Sequence, residues 1–135
     1  MKKIIFLTVL FLSFSSCHKN DNLLPLEIKS APVTELQVPE SFQFGETYNL
    51  LINFNLPSSC YKLFNIDYIY NGNERDINVL VYLDAKVICP QVVVPVQKII
   101  PVKILQHEDY TFNIWKGKDD SGKDIIESIV VPVID

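Results

Sequence analysis

The 135-residue chain reads as an all-β protein, an antiparallel β-sandwich of about seven strands. Three observations point there. Apolar side chains recur at every second position in run after run, the period of a strand with one buried face. No stretch long enough for a helix shows a helical period. Turn-forming residues separate the runs at regular intervals, the spacing expected of a sandwich.

The elements follow in order. LEIKSAPVTELQV (26–38) reads as a strand interrupted at Pro32. Proline gives no N–H to a ladder, so this segment suits an edge or a strand that passes between sheets. TYNLLINFNL (47–56) alternates without a break: Tyr48, Leu50, Ile52, Phe54 and Leu56 face one way, and Asn49, Asn53 and Asn55 the other. KLFNIDYIY (62–70) puts Phe64, Ile66, Tyr68 and Tyr70 on one face. Asn71-Gly72 is a strong hairpin signal, after which RDINVLVYLD (75–84) groups Ile77, Val79, Val81 and Leu83. CPQVVVPVQKIIPVKI (89–104) is β-branched, but Pro90, Pro95 and Pro101 forbid a central strand along its whole length. It reads as an irregular crossing followed by an edge strand near 97–104, with prolines that also keep a valine run from pairing between molecules. YTFNIWKG (110–117) sends Tyr110, Phe112 and Ile114 inward and Thr111, Asn113 and Trp115 to the opposite face. The polar turn KDDSG leads into a last strand at about 124–133.

The N-terminus lies outside this pattern. Met1-Lys2-Lys3 is a short positive leader, Ile4 to Leu12 is almost wholly apolar, and Ser13-Phe14-Ser15-Ser16 follows with small residues. This is the order of a secretory signal peptide, and the apolar run is too short for the roughly 17–25 residues that span a bilayer. Phe14-Ser15-Ser16-Cys17 resembles the lipobox of bacterial lipoproteins, with Phe14 in the place usually held by Leu, a replacement tolerated among Bacteroidota. That resemblance implies cleavage before Cys17, acylation of its thiol, and attachment to a membrane without spanning it. Each buried methylene contributes about 0.8 kcal/mol, so several acyl chains anchor stably where one does not. Residues 1–16 are then the signal peptide, 17–26 the lipidated cysteine and a polar tether, and 27–135 the folded domain. Losing Lys2 and Lys3 takes the 12 basic side chains to 10 against 16 acidic ones, a net charge of −6. The acidic residues are scattered, and no basic stripe is present to neutralise phosphates, so nucleic acid is not an expected partner.

With Cys17 given to lipid, Cys60 and Cys89 remain as an even pair in an oxidising compartment. A hairpin centred near residues 72–73 sets Cys60 opposite about residue 85, with Cys89 a short bend beyond, so a structural disulfide is expected. Neither redox chemistry nor zinc is indicated: there is no Cys-x-x-Cys, and His18 and His107 lack ligand spacing.

HEDYTFNIWKG resembles the corner that opens strand F in immunoglobulin-like domains, where a tyrosine hydroxyl bonds nearby backbone. Carried over by position, Tyr110 is that corner tyrosine. The array of Cys60, the hairpin, Cys89 and YTFNIW resembles small immunoglobulin-like lipoproteins of Bacteroidota over roughly residues 47–133. The antibody-type pattern is absent, because the cysteines bracket one hairpin and Trp115 is not on strand C. The resemblance implies a fold and a place, the cell envelope with a lipid anchor in the outer membrane, at its periplasmic face or the cell surface. It implies no activity.

Little in the chain points to catalysis. His107, in the turn QHEDY, is the one histidine of the folded region, and with four glycines there is no nucleophile elbow or phosphate loop. DDSGKD (119–124) fails the calcium-loop spacing, because Gly117 falls where the first ligand belongs. No cofactor, metal or enzymatic activity is expected. Two functions remain. The first, which the sequence favours, is a structural or interaction module that meets an envelope protein through a sheet face or edge. The second is a ligand-binding module, for glycans above all, using the aromatics Trp115, Tyr68 and Tyr82. A flat apolar patch or open edge favours the first, and a groove holding Trp115 among polar groups favours the second.

Overall fold

A computed structural model describes residues 27–84 and 88–135. The expected signal peptide, the expected lipidation site Cys17 and the expected tether lie outside the described residues. The described residues form ten strands and no helix: β1 (Ile28–Ala31), β2 (Val33–Gln37), β3 (Phe42–Gln43), β4 (Thr47–Leu56), β5 (Tyr61–Asn71), β6 (Glu74–Leu83), β7 (Val94–Lys103), β8 (Tyr110–Lys118), β9 (Asp124–Val131) and β10 (Val133–Ile134).

These strands build a sandwich of the immunoglobulin-like kind. One sheet is centred on β6, which pairs with β5 along one edge. Its other edge is shared: β1 takes Val79–Tyr82 and β8 takes Glu74–Ile77. β9 lies beyond β8. The facing sheet has the order β2-β4-β7. A short pair, β10 on β3, closes one end. Two pairings, β6 with β8 and β3 with β10, are parallel, a departure from the antiparallel sheets usual in this class.

Alternation decides what is buried. β4 contributes Leu50, Ile52, Phe54 and Leu56, β6 contributes Ile77, Val79 and Val81, and β8 contributes Tyr110, Phe112 and Ile114. Each such aliphatic or phenyl side chain stabilises by about 1.5–3 kcal/mol on leaving water. Phe42 fills the middle of an aromatic group, 4.9 Å from the Tyr48 ring and 5.4 Å from that of Tyr110. Its N–H donates to the Pro132 carbonyl at 2.8 Å, which ties the β3–β10 closure to the core.

Pro32 divides the first strand between the two sheets, β1 pairing with β6 and β2 with β4. The run near Val94 forms one ten-residue edge strand, beginning three residues earlier than the sequence indicates. Pro95 and Pro101 sit opposite Asn55 and Asn49 on an outermost strand, where a proline need not supply a ladder N–H on the open side. The last strand breaks at Pro132 into β9 and β10, which leave for different sheets. These two splits and the short β3, which the sequence does not indicate, account for ten strands where the sequence indicates about seven.

β5 corrects one alternation. A bulge between Leu63 and Asn65 inserts an extra residue at Phe64. Before it, the half-buried residues are Tyr61 and Leu63; after it they include Ile66 and Tyr68. Phe64 is therefore 51% exposed and does not share the core face with Ile66. The same bulge moves the register by one. Cys60 comes opposite Asp84, whose N–H donates to the Cys60 carbonyl, and not opposite residue 85. At the other end Asn71 pairs with Glu74, leaving Gly72-Asn73 as the two-residue loop. Gly72 has φ +60° and Asn73 a negative φ, the pattern of a type II′ turn with glycine first.

Candidate functional site

The outer face of the β6 sheet carries the site, and its position follows from how β6 shares its edge. β8 stays with β6 only to the Ile77–Ile114 pair, and β1 takes over from Val79. Asn78 is the residue between the two partners. From Trp115 onward β8 bends away through a bulge at Trp115–Gly117. There Lys116 Nζ donates to the Thr34 carbonyl of β2 and pairs with Glu127 at 3.1 Å. Gly117, at φ +113°, lies against Pro32, where β1 itself turns off to the other sheet. The changeover of partners along this edge of β6 places a notch there. The result is a cleft of about 880 Å³ lined by Lys29, Ser30, Asp76, Ile77, Asn78, Asn113, Trp115, Lys118, Asp124 and Ile126.

Its polar groups are fixed by one another. Asn113 Nδ2 donates to Glu74 Oε2 at 2.6 Å and to Asp76 Oδ1 at 2.8 Å, while its own oxygen accepts from Ser128 Oγ at 2.6 Å. Trp115, half-buried, donates from Nε1 to Asp124 Oδ1 at 3.0 Å, and Lys118 Nζ reaches the same oxygen at 2.8 Å. The Lys118 ammonium and the indole N–H hold the Asp124 carboxyl below its usual pKa. The indole ring is thus held at two points, by its backbone and by Asp124. The Lys29 ammonium lies 4.4 Å from the centre of the Tyr61 ring, a cation–π contact.

The structure separates the three aromatics that the sequence puts forward. Trp115 lies in the cleft. Tyr82 is on the same outer face but further along, beside Phe64 with ring centres 6.4 Å apart. Tyr68 follows the core-facing parity of Ile66, opposite Ile77, and its hydroxyl oxygen is buried. Neither tyrosine lines the cleft. Asp76, Asn78, Asn113 and Asp124 do not stand out in the sequence as binding residues, although strict alternation places Asp76 and Asn78 opposite Ile77 and Asn113 beside Trp115. What the sequence cannot supply is the shared edge of β6 that gathers them.

The remaining candidate residues have structural surroundings. Cys60 and Cys89 form a disulfide with Cα atoms 5.6 Å apart, closing the open end of the β5–β6 hairpin. The Tyr110 hydroxyl accepts the Leu105 N–H at 3.2 Å. His107 stacks on Phe44, ring centres 3.9 Å apart, and contacts Asp135 at 3.1 Å, in the corner loop. Asp119 organises the β8–β9 turn: its Oδ1 accepts from Ser121 N, Ser121 Oγ and Lys123 N. Those bonds, the Ser121 hydroxyl foremost, lower the Asp119 pKa.

A second polar cluster sits at the hairpin tip. Arg75 is only 5% exposed. Its Nη1 donates to the carbonyls of Gly72 and Glu74, and Nη2 to Gln106 Oε1 at 2.6 Å. The guanidinium carbon is 4.2 Å from the Tyr70 ring centre and 4.9 Å from that of Tyr110. Gln106 Nε2 in turn donates to the carbonyls of Asn73, Glu108 and Asp109. The cluster ties the hairpin tip to the corner loop and uses a buried cation whose neighbours are carbonyls and ring faces. Beside it, burial pushes the Tyr68 hydroxyl up to a pKa of about 12, against the opposing charge of Arg75.

Two packed β-sheets around one apolar core define the class, a β-sandwich protein. The chain belongs to the ORF11 beta-sandwich domain family, whose sequence profile matches residues 50–124, more than half its length. The matched region runs from β4 to the first residue of β9 and takes in both disulfide cysteines, Trp115 and Asp124. No curated protein and no solved structure matches the chain.

Proposed function

We propose that this protein is a non-catalytic, lipid-anchored module of the cell envelope that binds a glycan in the cleft beside Trp115. The observation that carries the reading is the cleft itself, a half-exposed indole fixed by Asp124 among Asp76, Asn78 and Asn113. An aromatic face with polar groups at its margin suits a polyhydroxylated ring, which stacks its C–H surface and directs its hydroxyls outward to hydrogen-bonding side chains. The anchor rests on the N-terminal sequence, in which Cys17 follows two serines after an apolar leader. Glu27, the first described residue, accepts the Leu83 N–H at the disulfide end of the sheet. His107, stacked in the corner loop, lies outside the cleft lining.

The test is binding of the full-length protein to a glycan array, with Trp115→Ala beside it. Binding to at least one glycan, lost in the variant, is the expected result; no binding above background removes the reading. Anchoring is tested separately with a palmitate analogue, which should label the wild type and leave Cys17→Ser unlabelled and soluble.

A second reading, docking of an envelope protein, has its own observation. β9 is an outermost strand and exposes Ile125, Ile126 and Val130. Such an edge can accept another strand. Crosslinking in intact cells distinguishes it: a protein adduct through β9 that persists in Trp115→Ala would favour docking.

A further inference from the structure

The hydrogen-bonding capacity left in the cleft is unequal in kind, and we infer that it selects sugar rings without acidic groups, reading their hydroxyl donors through Asp76 and Asp124. This rests on the glycan reading of the same cleft.

The donors nearest the indole are already engaged. The indole N–H is given to Asp124, and both hydrogens of the Asn113 amide go to Glu74 and Asp76. Lys118 is paired with Asp124 and reaches the Gly122 carbonyl, and the Lys29 ammonium rests on the Tyr61 ring. Acceptors are not committed. Asp76 and Asp124 accept these side-chain bonds through Oδ1, so among the described residues each keeps Oδ2 for an incoming group.

A carboxylate oxygen accepts and never donates at neutral pH. A hydroxylated ring brings donors and matches it; hydrogen bonds to a charged acceptor are stronger than those between neutral groups. A uronate, sulfate or phosphate brings more acceptors and more negative charge. It would face the carboxylates of Asp76, Asp124 and the adjacent Glu74, which outnumber the ammoniums of Lys29 and Lys118, so the surround is net negative and repels a further anion. Selectivity then comes from what the cleft refuses as well as from what it holds. Asn78 and Ser30, at the gap and on the β1 wall, supply the side-chain donors that a ring oxygen or acetamido carbonyl could use.

The experiment is titration calorimetry on the full-length protein in detergent, with cellohexaose, xylohexaose and maltohexaose as neutral probes, chitosan hexamer as an amino-sugar probe, and oligogalacturonate and a heparin hexasaccharide as acidic probes. At least one neutral or amino-sugar probe should bind at least tenfold more tightly than either acidic probe. Asp76→Asn and Asp124→Asn, each confirmed folded by its thermal transition, should narrow that ratio to within about threefold, because an amide neither repels an anion nor accepts as strongly. Acidic probes that bind equally or more tightly, with binding lost in Trp115→Ala, would overturn the inference and leave the cleft as a glycan site. An unchanged ratio in both Asn variants would overturn the roles of Asp76 and Asp124. If no probe and no array glycan binds, the glycan reading falls and this inference with it.

Discussion

Strand β8 has two faces that alternate residue by residue and do different work. Tyr110, Phe112 and Ile114 face inward and are buried to within 2% of full enclosure. Thr111, Asn113 and Trp115 face outward, and the polar atoms of Asn113 and Trp115 hold the neighbouring acids in fixed positions. The inward face contributes stability through burial, which is non-directional and depends on volume. The outward face contributes little burial and is defined by the direction of its hydrogen bonds. Adjacent positions in one strand should therefore fail in different assays.

The sharpest break of that comparison is Phe112→Ala. Removing a fully buried phenyl ring should cost about 3–5 kcal/mol in urea unfolding, through lost transfer energy and the cavity left behind. A loss under about 1 kcal/mol would mean that the inward face is not a packed core. Close behind is the pair Cys60→Ala/Cys89→Ala. The disulfide spans a sequence separation of 29, and opening a loop of that size should cost about 3–4 kcal/mol in the chain-entropy model. Reducing agent should lower wild-type stability and leave the double variant unchanged.

Trp115→Ala tests the outward face. Unfolding free energy should change by less than about 1 kcal/mol, as for residues outside the core, while affinity for any glycan bound by the wild type falls at least tenfold, about 1.4 kcal/mol. A stability loss as large as that of Phe112→Ala would erase the contrast between the faces. Tyr110→Phe falls between: the ring stays buried, and loss of the bond from Leu105 should cost about 1 kcal/mol.

The smallest effects lie in pH. Tyr68 has its folded pKa raised from the ordinary 10.0 to about 12. The stability this gives is fully present below pH 10 and is lost as pH rises towards 12. Alkaline unfolding curves should be flatter in that window for Tyr68→Phe than for the wild type. On the acid side the Asp124 pKa is depressed below the ordinary 3.8. Its contribution is present above that value and disappears as pH falls through the folded pKa. Because Asp124 holds the one tryptophan, the emission of Trp115 should shift in that acid window, and Asp124→Asn should remove the transition.

How far the sequence reaches into this fold depends on the range of each interaction. The all-β class, the inward set on β4, β6 and β8, and the interruption of the first strand at Pro32 follow from side-chain period and from the missing proline N–H. Those are local properties of a strand. Phe64 departs from its expected face because a single-residue bulge reverses the parity before it, and KLFNIDYIY carries no glycine or proline to mark the spot. The sequence reading offers Tyr68 beside Trp115 as a binding aromatic, yet Tyr68 keeps the parity of Ile66, opposite Ile77, with a buried hydroxyl, beside a guanidinium that the sequence gives no reason to bury. The burial of Arg75 does not follow from the residues around it. Its partners Gln106 and Tyr110 lie more than 30 residues away in sequence and meet it only once hairpin and corner have packed.

By itself the sequence determined what most strands could bury, and that two cysteines lie within reach of one hairpin. It did so because period, proline and cysteine spacing act within a strand or between its nearest neighbours. The tertiary structure alone decided that β1 and β8 divide one edge of β6 and that a cleft lies at the changeover, lined by Asp76, Asn78, Asn113 and Trp115. A cleft is a relation among strands distant in sequence, set by which edges remain open after the core has packed, and no local pattern encodes it.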